Sequence, residues 1–230
     1  MMEERRKLSA SIAHDLRTPI TVMKGYTEYL SHNVPLGRIS EDKLMDTIHN
    51  LSLATDRLEQ YANQVREIQA MDAIPVKPTA CPLREFFEEQ EDEYTVLAHQ
   101  HQLQFSMDIS GVPDFQVMLD GTLVHRMIDN VISNALRFAC HEIALKAGWQ
   151  EGILTIQVYD DGAGFSEESL RSATRPFYKE NTENDHFGLG LSICNTLCQK
   201  QGGTLSLSNR NGACVEMQIQ AEKLMPIDQS

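Results

Sequence analysis

RMIDNVISNALRF, residues 126–138, is the stretch that decides how this chain folds. It reads as most of a helix over Thr122–Phe138. Asn130 and Asn134 lie four residues apart on one face, with Arg137 and Phe138 one further turn along. A single asparagine on a helix ordinarily caps a neighbour or meets solvent. A pair that ends on a basic and an aromatic residue points elsewhere. Neutral amide oxygens suit Mg²⁺, which prefers hard oxygen ligands and keeps some waters while phosphates supply the rest. Arg137 adds a guanidinium that pairs well with phosphate oxygens.

Downstream, VYDDGAGF (residues 158–165) ends a strand at Asp160, and Gly162 and Gly164 then let backbone approach a flat ligand closely. A buried carboxylate at Asp160 can accept the exocyclic amine of adenine. RPFYKE (175–180) supplies Phe177. KENTENDH (179–186) is polar and has no apolar anchor, the composition of a mobile lid or of an ordinary loop. FGLGLSIC (187–194) sets Gly188, Leu189, Gly190 and Leu191 at the start of a helix, where free amides and the helix dipole favour phosphate.

Around these segments the pattern predicts a helix over Leu83–His99, a strand in QLQFSMDI (102–109) and strands EIALKA (142–147) and ILTIQVYD (153–160) flanking a turn at Gly148 and Gly152. A helix over Leu191–Gln201 and strands TLSLSN (204–209) and CVEMQIQ (214–220) follow. Helices mixed with antiparallel strands make residues 83–230 an α+β two-layer sandwich.

Upstream the grammar changes. Pro75, Pro78 and Pro82 stiffen a connector, residues 75–82, and forbid continuation of a helix. Residues 1–74 read as an all-α helical hairpin. Leu8, Ile12, Leu16, Ile20, Met23, Thr27 and Leu30 repeat at helical spacing, and Pro35 and Gly37 break the pattern. Ser40 is the expected N-cap, with Glu41 and Asp42 in the first turn. Leu44, Ile48, Leu51, Thr55, Leu58, Ala62 and Val65 form the second stripe. Each stripe is too narrow for one helix pair to close a core, so two hairpins in a homodimeric four-helix bundle are expected.

Within the first helix stands SIAHDLRTPI, residues 11–20. At about 100° per residue the apolar stripe covers roughly 0–80° from Ile12, whereas His14 falls near roughly 200° and Thr18 near roughly 240°. His14 therefore faces away from the bundle with Thr18 beside it. Imidazole is mostly neutral near pH 7 and hence nucleophilic. Asp15 can take the proton from one ring nitrogen while the other attacks phosphorus. Pro19 removes the amide that would bond to the Asp15 carbonyl, loosening the helix there.

SIAHDLRTPI resembles the H box of the HisKA class of sensor histidine kinases. That resemblance implies that His14 is the phosphoacceptor, Asp15 its acid/base partner and Thr18 a positioner of water during dephosphorylation of a partner aspartate. RMIDNVISNALRF resembles the N box of the same family. DDGAG resembles its first glycine box, Phe177 matches its F box and FGLGL its second glycine box. The motifs stand in the family's order from about Leu8 to Gln220. They imply a catalytic region of the GHKL ATPase type that binds ATP with Mg²⁺ on Asn134 and Asn130. A receiver domain of a cognate response regulator is the implied partner. Three departures bear on phosphate contacts and leave adenine recognition intact: Asn211–Cys214 lacks the usual Gly-Thr, the lid is short, and Asp161 stands where asparagine is common.

The bulk numbers agree with a folded enzyme. Hydrophobic residues make up 41% and charged residues 23%, near ordinary globular usage, so a core is affordable. A net charge of −13 offers no broad basic surface to nucleic-acid phosphates. No apolar run approaches the ~20 residues of a membrane-spanning helix. The start, MMEERRKLSA, lacks a signal-peptide core and reads as cut from a longer helix. Membrane attachment is thus expected only through a preceding N-terminal sensor region, with these residues on the cytoplasmic side. Five cysteines without a CxxC pair suggest reduced thiols. Cys194 and Cys198 either share a metal or, as favoured, act as small buried hydrophobes. Two other functions share much of this reading: a GHKL ATPase that only hydrolyses ATP, and a non-enzymatic dimerisation module switched by nucleotide.

Overall fold

The computed structural model describes residues 2–71, 74–176, 178 and 189–224. They fall into two compact units, one ending before Ile74 and one beginning there. The first unit is a hairpin of α1 (Met2–Asn33) and α2 (Glu41–Met71). Ser40 caps α2 as expected, its hydroxyl accepting from the Lys43 amide at 3.3 Å. Pro19 sits inside α1. Among the described side chains only Thr47 and Ala54 are buried in the hairpin, while Ile20 and Ile48, both expected on the closed stripe, are 51% and 47% exposed. One helix pair covers only part of each stripe, so these residues remain uncovered within a single chain.

The second unit is a helical layer on a five-stranded sheet. The sheet runs in the order β2 (Gln104–Gly111), β4 (Glu142–Gln150), β5 (Ile153–Asp160), β7 (Ala213–Gln220), β6 (Thr204–Asn209). The helices are α3 (Leu83–Gln100), α4 (Gly121–Phe138) and α6 (Gly190–Lys200), with the short α5 (Glu167–Ser172) between α4 and α6. Alternation explains the layering. Ile143, Leu145, Ala147, Leu154, Ile156, Val158, Val215, Met217 and Ile219 are buried, while their strand neighbours Lys146, Gln157 and Gln218 are not. From the helices come Phe87, Tyr94, Val124, Met127, Ile128, Val131, Leu197 and Cys198, all nearly inaccessible. Each such side chain contributes roughly 1.5–3 kcal/mol by leaving water.

Three expectations change. The strands are not all antiparallel, because β2 pairs parallel to β4, with Phe105 opposite Ile143. Their connection is long enough for such a crossover, since it contains α4. Gly148 is not in a turn but inside β4, opposite Thr155. A Cβ on Gly111 would come within 3.1 Å of the Gly148 Cα, so the two backbones meet closely, which explains the glycines. The turn between β4 and β5 is Glu151–Gly152 alone, both with positive φ. Third, Thr79–Pro82, expected in the connector, forms β1. It pairs with β3 (Gln116–Leu119), which in turn pairs with β8 (Glu222–Lys223), in a separate small sheet.

Candidate nucleotide site

The site is organised by α4. Asp120 caps it, one carboxylate oxygen accepting from the Leu123 amide at 3.2 Å. Buried Val124, Met127, Ile128, Val131, Ile132 and Ala135 hold one face against the core. Asn130 and Asn134 lie elsewhere on the helix and stay partly accessible. Asn130 donates its amide group to the Arg126 carbonyl one turn back at 2.8 Å, which directs its oxygen outward. That oxygen meets the first residue of α6: a Cβ on Gly190 would lie 3.4 Å from Asn130 Oδ1 and 3.5 Å from Asn134 Nδ2. The amides of a first helical turn have no partner inside the helix, so donors and amide oxygens converge here. Leu189 and Leu191 are buried and anchor this helix start in the core.

The far end of α4 meets the glycine-containing loop. Arg137 lies over the Phe138 ring at 5.2 Å, and both side chains are exposed. A Cβ on Gly162 would overlap the Phe138 carbonyl oxygen, so only glycine lets the loop pass there. Asp160, at the end of β5, accepts through Oδ1 from the Gly162 amide at 2.9 Å and the Ala213 amide at 3.4 Å. Its second oxygen has no partner among the described residues. Burial raises its pKa above the usual carboxylate value, and the two amides oppose that shift. The arrangement leaves one half-buried carboxylate oxygen for an incoming N–H donor.

The sequence alone assigned no role to several residues that shape this loop. Asp161 accepts through Oδ1 from the amides of Cys140, His141 and Glu142 at 2.8, 2.9 and 3.2 Å, and its Oδ2 pairs with His141 Nδ1 at 2.9 Å. These amides, that of His141 foremost, hold its carboxyl far below the usual range. Asp161 thus ties the loop to the turn after α4. Gly212, with φ +147°, lies where a Cβ would overlap the Asp160 carbonyl oxygen. A loop glycine in the stretch Asn211-Gly212-Ala213 offered no signal of this approach, because the partner is distant in the chain.

A lowered folded pKa stabilises above the unfolded value and is lost as pH falls through the folded one. The Asp161 contribution should therefore be complete above about pH 4 and disappear in acid. Asp161→Ala should lower the melting temperature of the second unit at neutral pH, and the gap to the parent should narrow steadily as pH falls below about 4. A gap unchanged by pH would assign the loss to packing instead.

Of the other expected site residues, His14, Asp15 and Thr18 lie on α1, and their side chains are outside the described set. Phe177, Gly188 and the polar stretch 179–186 lie outside the described residues. Gly164 is in the loop with φ +78°. The pair Cys194 and Cys198 is buried: Cys194 Sγ donates to the Met127 carbonyl at 3.4 Å and Cys198 Sγ approaches Met127 Sδ at 3.6 Å. Burial pushes the Cys198 thiol up to about 12. They act as core residues, and no group of three or more His, Cys, Asp or Glu suited to a metal occurs among the described residues. A Mg²⁺ here would depend on the amide oxygens of Asn130 and Asn134 together with ligand phosphates, a donor set that fits its preference for hard oxygen.

Known proteins match both units. Residues 4–74 match the His Kinase A (phospho-acceptor) domain, and residues 119–223 match the histidine kinase-, DNA gyrase B- and HSP90-like ATPase. The C4-dicarboxylate transport sensor protein DctB of Pseudomonas aeruginosa is 26% identical over 92% of this chain and 35% of its own length. Sensor histidine kinase SpaK of Bacillus subtilis is 25% identical over 94% of this chain and 47% of its own. The chain thus spans between about a third and a half of these relatives. Among solved structures, histidine kinase ThkA in complex with response regulator protein TrrA superposes with a TM-score of 0.75 at 20% identity, covering 95% of this chain and 64% of that one. Acinetobacter baumannii histidine kinase AdeS gives 0.69 at 18% identity, over 90% and 97%. With a phospho-acceptor hairpin followed by an ATPase-type nucleotide fold, both matched in order, the chain belongs to the two-component sensor histidine kinases.

Proposed function

We propose that this chain uses ATP to phosphorylate its own His14 and passes the phosphoryl group to an aspartate on the receiver domain of a response regulator. The observation that carries the reading is the convergence on α4: Asn130 and Asn134 face Gly190 at the start of α6, and Gly162 rests on the last carbonyl of the same helix. In this reading residues 1–74 dimerise and carry the histidine, and residues 83–230 bind ATP. The Asp160 oxygen accepts the adenine amine, and the amides around Gly188 and Gly190 meet phosphate with Arg137. Asn134 and Asn130 would hold Mg²⁺, which supplies charge neutralisation on the transferring phosphoryl group. Leu189 and Leu191 anchor the start of α6 in the core, and Phe177 is assigned to nucleotide binding by its match to the F box.

Phosphoryl transfer of this kind needs positioning more than covalent chemistry from the protein. One ring nitrogen of neutral His14 forms the new N–P bond as the bond to the ADP oxygen breaks, and Asp15 accepts the proton from the other nitrogen. Incubation with γ-labelled ATP tests the proposal. It requires acid-labile label on the protein; free phosphate alone would indicate hydrolysis, and neither product would leave a nucleotide-binding module.

The homodimer belongs to the same reading. Exposed Ile20 and Ile48, each on the apolar stripe of its helix, suit a second copy that closes a four-helix bundle. Sedimentation should give a dimer at micromolar concentration without nucleotide, and a monomer there would count against the bundle. No helix among the described residues is long and apolar enough to cross a membrane. Attachment through a preceding sensor segment, with this region on the cytoplasmic side, fits the sensor proteins it resembles.

We assign Thr18 to hydrolysis of the regulator's phospho-aspartate, where its hydroxyl orients the attacking water and phosphate leaves. Thr18→Ala should keep autophosphorylation and lose most phosphatase activity on the phosphorylated regulator. Dephosphorylation at the parental rate would leave Thr18 a structural residue beside Pro19.

A further inference from the structure

The loop from Asp160 to Phe165 is fastened at its exit by a single side chain. Asn209, the last residue of β6, accepts from the Phe165 amide through Oδ1 at 2.8 Å and donates to the Phe165 carbonyl through Nδ2 at 2.8 Å. One carboxamide thereby answers both main-chain groups of one residue, as a neighbouring strand would do from its backbone. Gly164 lies against the same group. Its φ is +78°, and a Cβ would come within 2.8 Å of Asn209 Oδ1, so glycine is needed there for conformation and for space. The turn that follows Asn209 also reaches the loop's other end, since the Ala213 amide meets Asp160 Oδ1 and Gly212 packs on the Asp160 carbonyl.

We infer that Asn209 is a positioning residue for nucleotide binding, holding the Gly162–Gly164 backbone and the Asp160 carboxylate in the arrangement that receives the base. The inference rests on the proposal that this loop meets adenine. The chemistry requires asparagine in particular. Aspartate keeps the acceptor for the Phe165 amide but sets a second oxygen against the Phe165 carbonyl, and alanine offers neither group. Glutamine carries the amide one methylene too far from β6.

Calorimetric titration of the whole chain with MgATP, MgADP and adenosine tests this, together with autophosphorylation kinetics. Asn209→Ala should weaken all three ligands by the same factor, roughly tenfold, about the net worth of the hydrogen bonds that order the loop. Its kcat at saturating ATP should stay within about twofold of the parent, the signature of lost binding without lost chemistry. Parental affinity in the folded variant overturns the inference, and so does a loss confined to kcat. Should Asn209→Ala fail to fold, Asn209→Asp decides: weaker adenosine binding with a native circular dichroism spectrum supports the role, and unchanged binding overturns it. Asp160→Ala separates the two levels. If it binds adenosine like the parent, the base sits elsewhere and both readings fall. If it loses adenosine while Asn209→Ala does not, only the role of Asn209 falls.

Discussion

His14→Ala should abolish acid-labile phosphorylation altogether while ATP binds within about twofold of the parental affinity, because removal of a nucleophile leaves the separate ground-state binding site intact. The division follows from the fold: His14 belongs to the hairpin α1–α2, and every described residue of the nucleotide site belongs to the second unit. Measuring label retention and calorimetric affinity on the same preparation checks both halves. Equal loss of nucleotide affinity would sink the division of labour, and residual stable phosphorylation would place the acceptor on another residue.

The second large effect is expected at Asn134. It shares a face of α4 with Asn130, directly opposite Gly190, and its side chain is only partly covered. Asn134→Ala removes no core contact of α4, whose buried face is Leu123, Val124, Met127, Ile128, Val131, Ile132 and Ala135, so the protein should remain folded. Loss of one ligand to a charged group corresponds to about 1.5–3 kcal/mol, a roughly ten- to hundredfold loss of affinity. The loss should fall on Mg²⁺-dependent ATP binding, and autophosphorylation should vanish with it. Titration with and without Mg²⁺ gives the test. A variant that binds MgATP and phosphorylates itself like the parent would overturn the assignment of the asparagine pair.

What could be read from the chain by itself was whatever is encoded locally. The two long helices of the hairpin, the cap at Ser40, helices α3, α4 and α6 and the longer strands follow from short-range periodicity and capping chemistry. The motif residues were legible for the same reason: Asn130 with Asn134 and Asp160 with Gly162 are separated by two to four positions, so their geometry is nearly implied by the element that carries them. Residues whose role depends on a distant partner were not. The parallel pairing of β2 with β4, the place of Gly148 inside a strand against Gly111, and strands β1, β3 and β8 emerge only when separate segments meet. Strands of two to four residues have no period to read. Asp161 looked like a flaw in a motif until the amides of Cys140, His141 and Glu142 closed around it. Asn209 and Gly212 sit 44 and 52 positions from the loop groups they contact, and neither residue type signals such a contact. Sequence named the groups of the candidate site, because their chemistry is intrinsic to the side chains. The tertiary structure decided what holds them in place, because hydrogen bonds and close backbone approaches between remote segments exist only once the chain has folded.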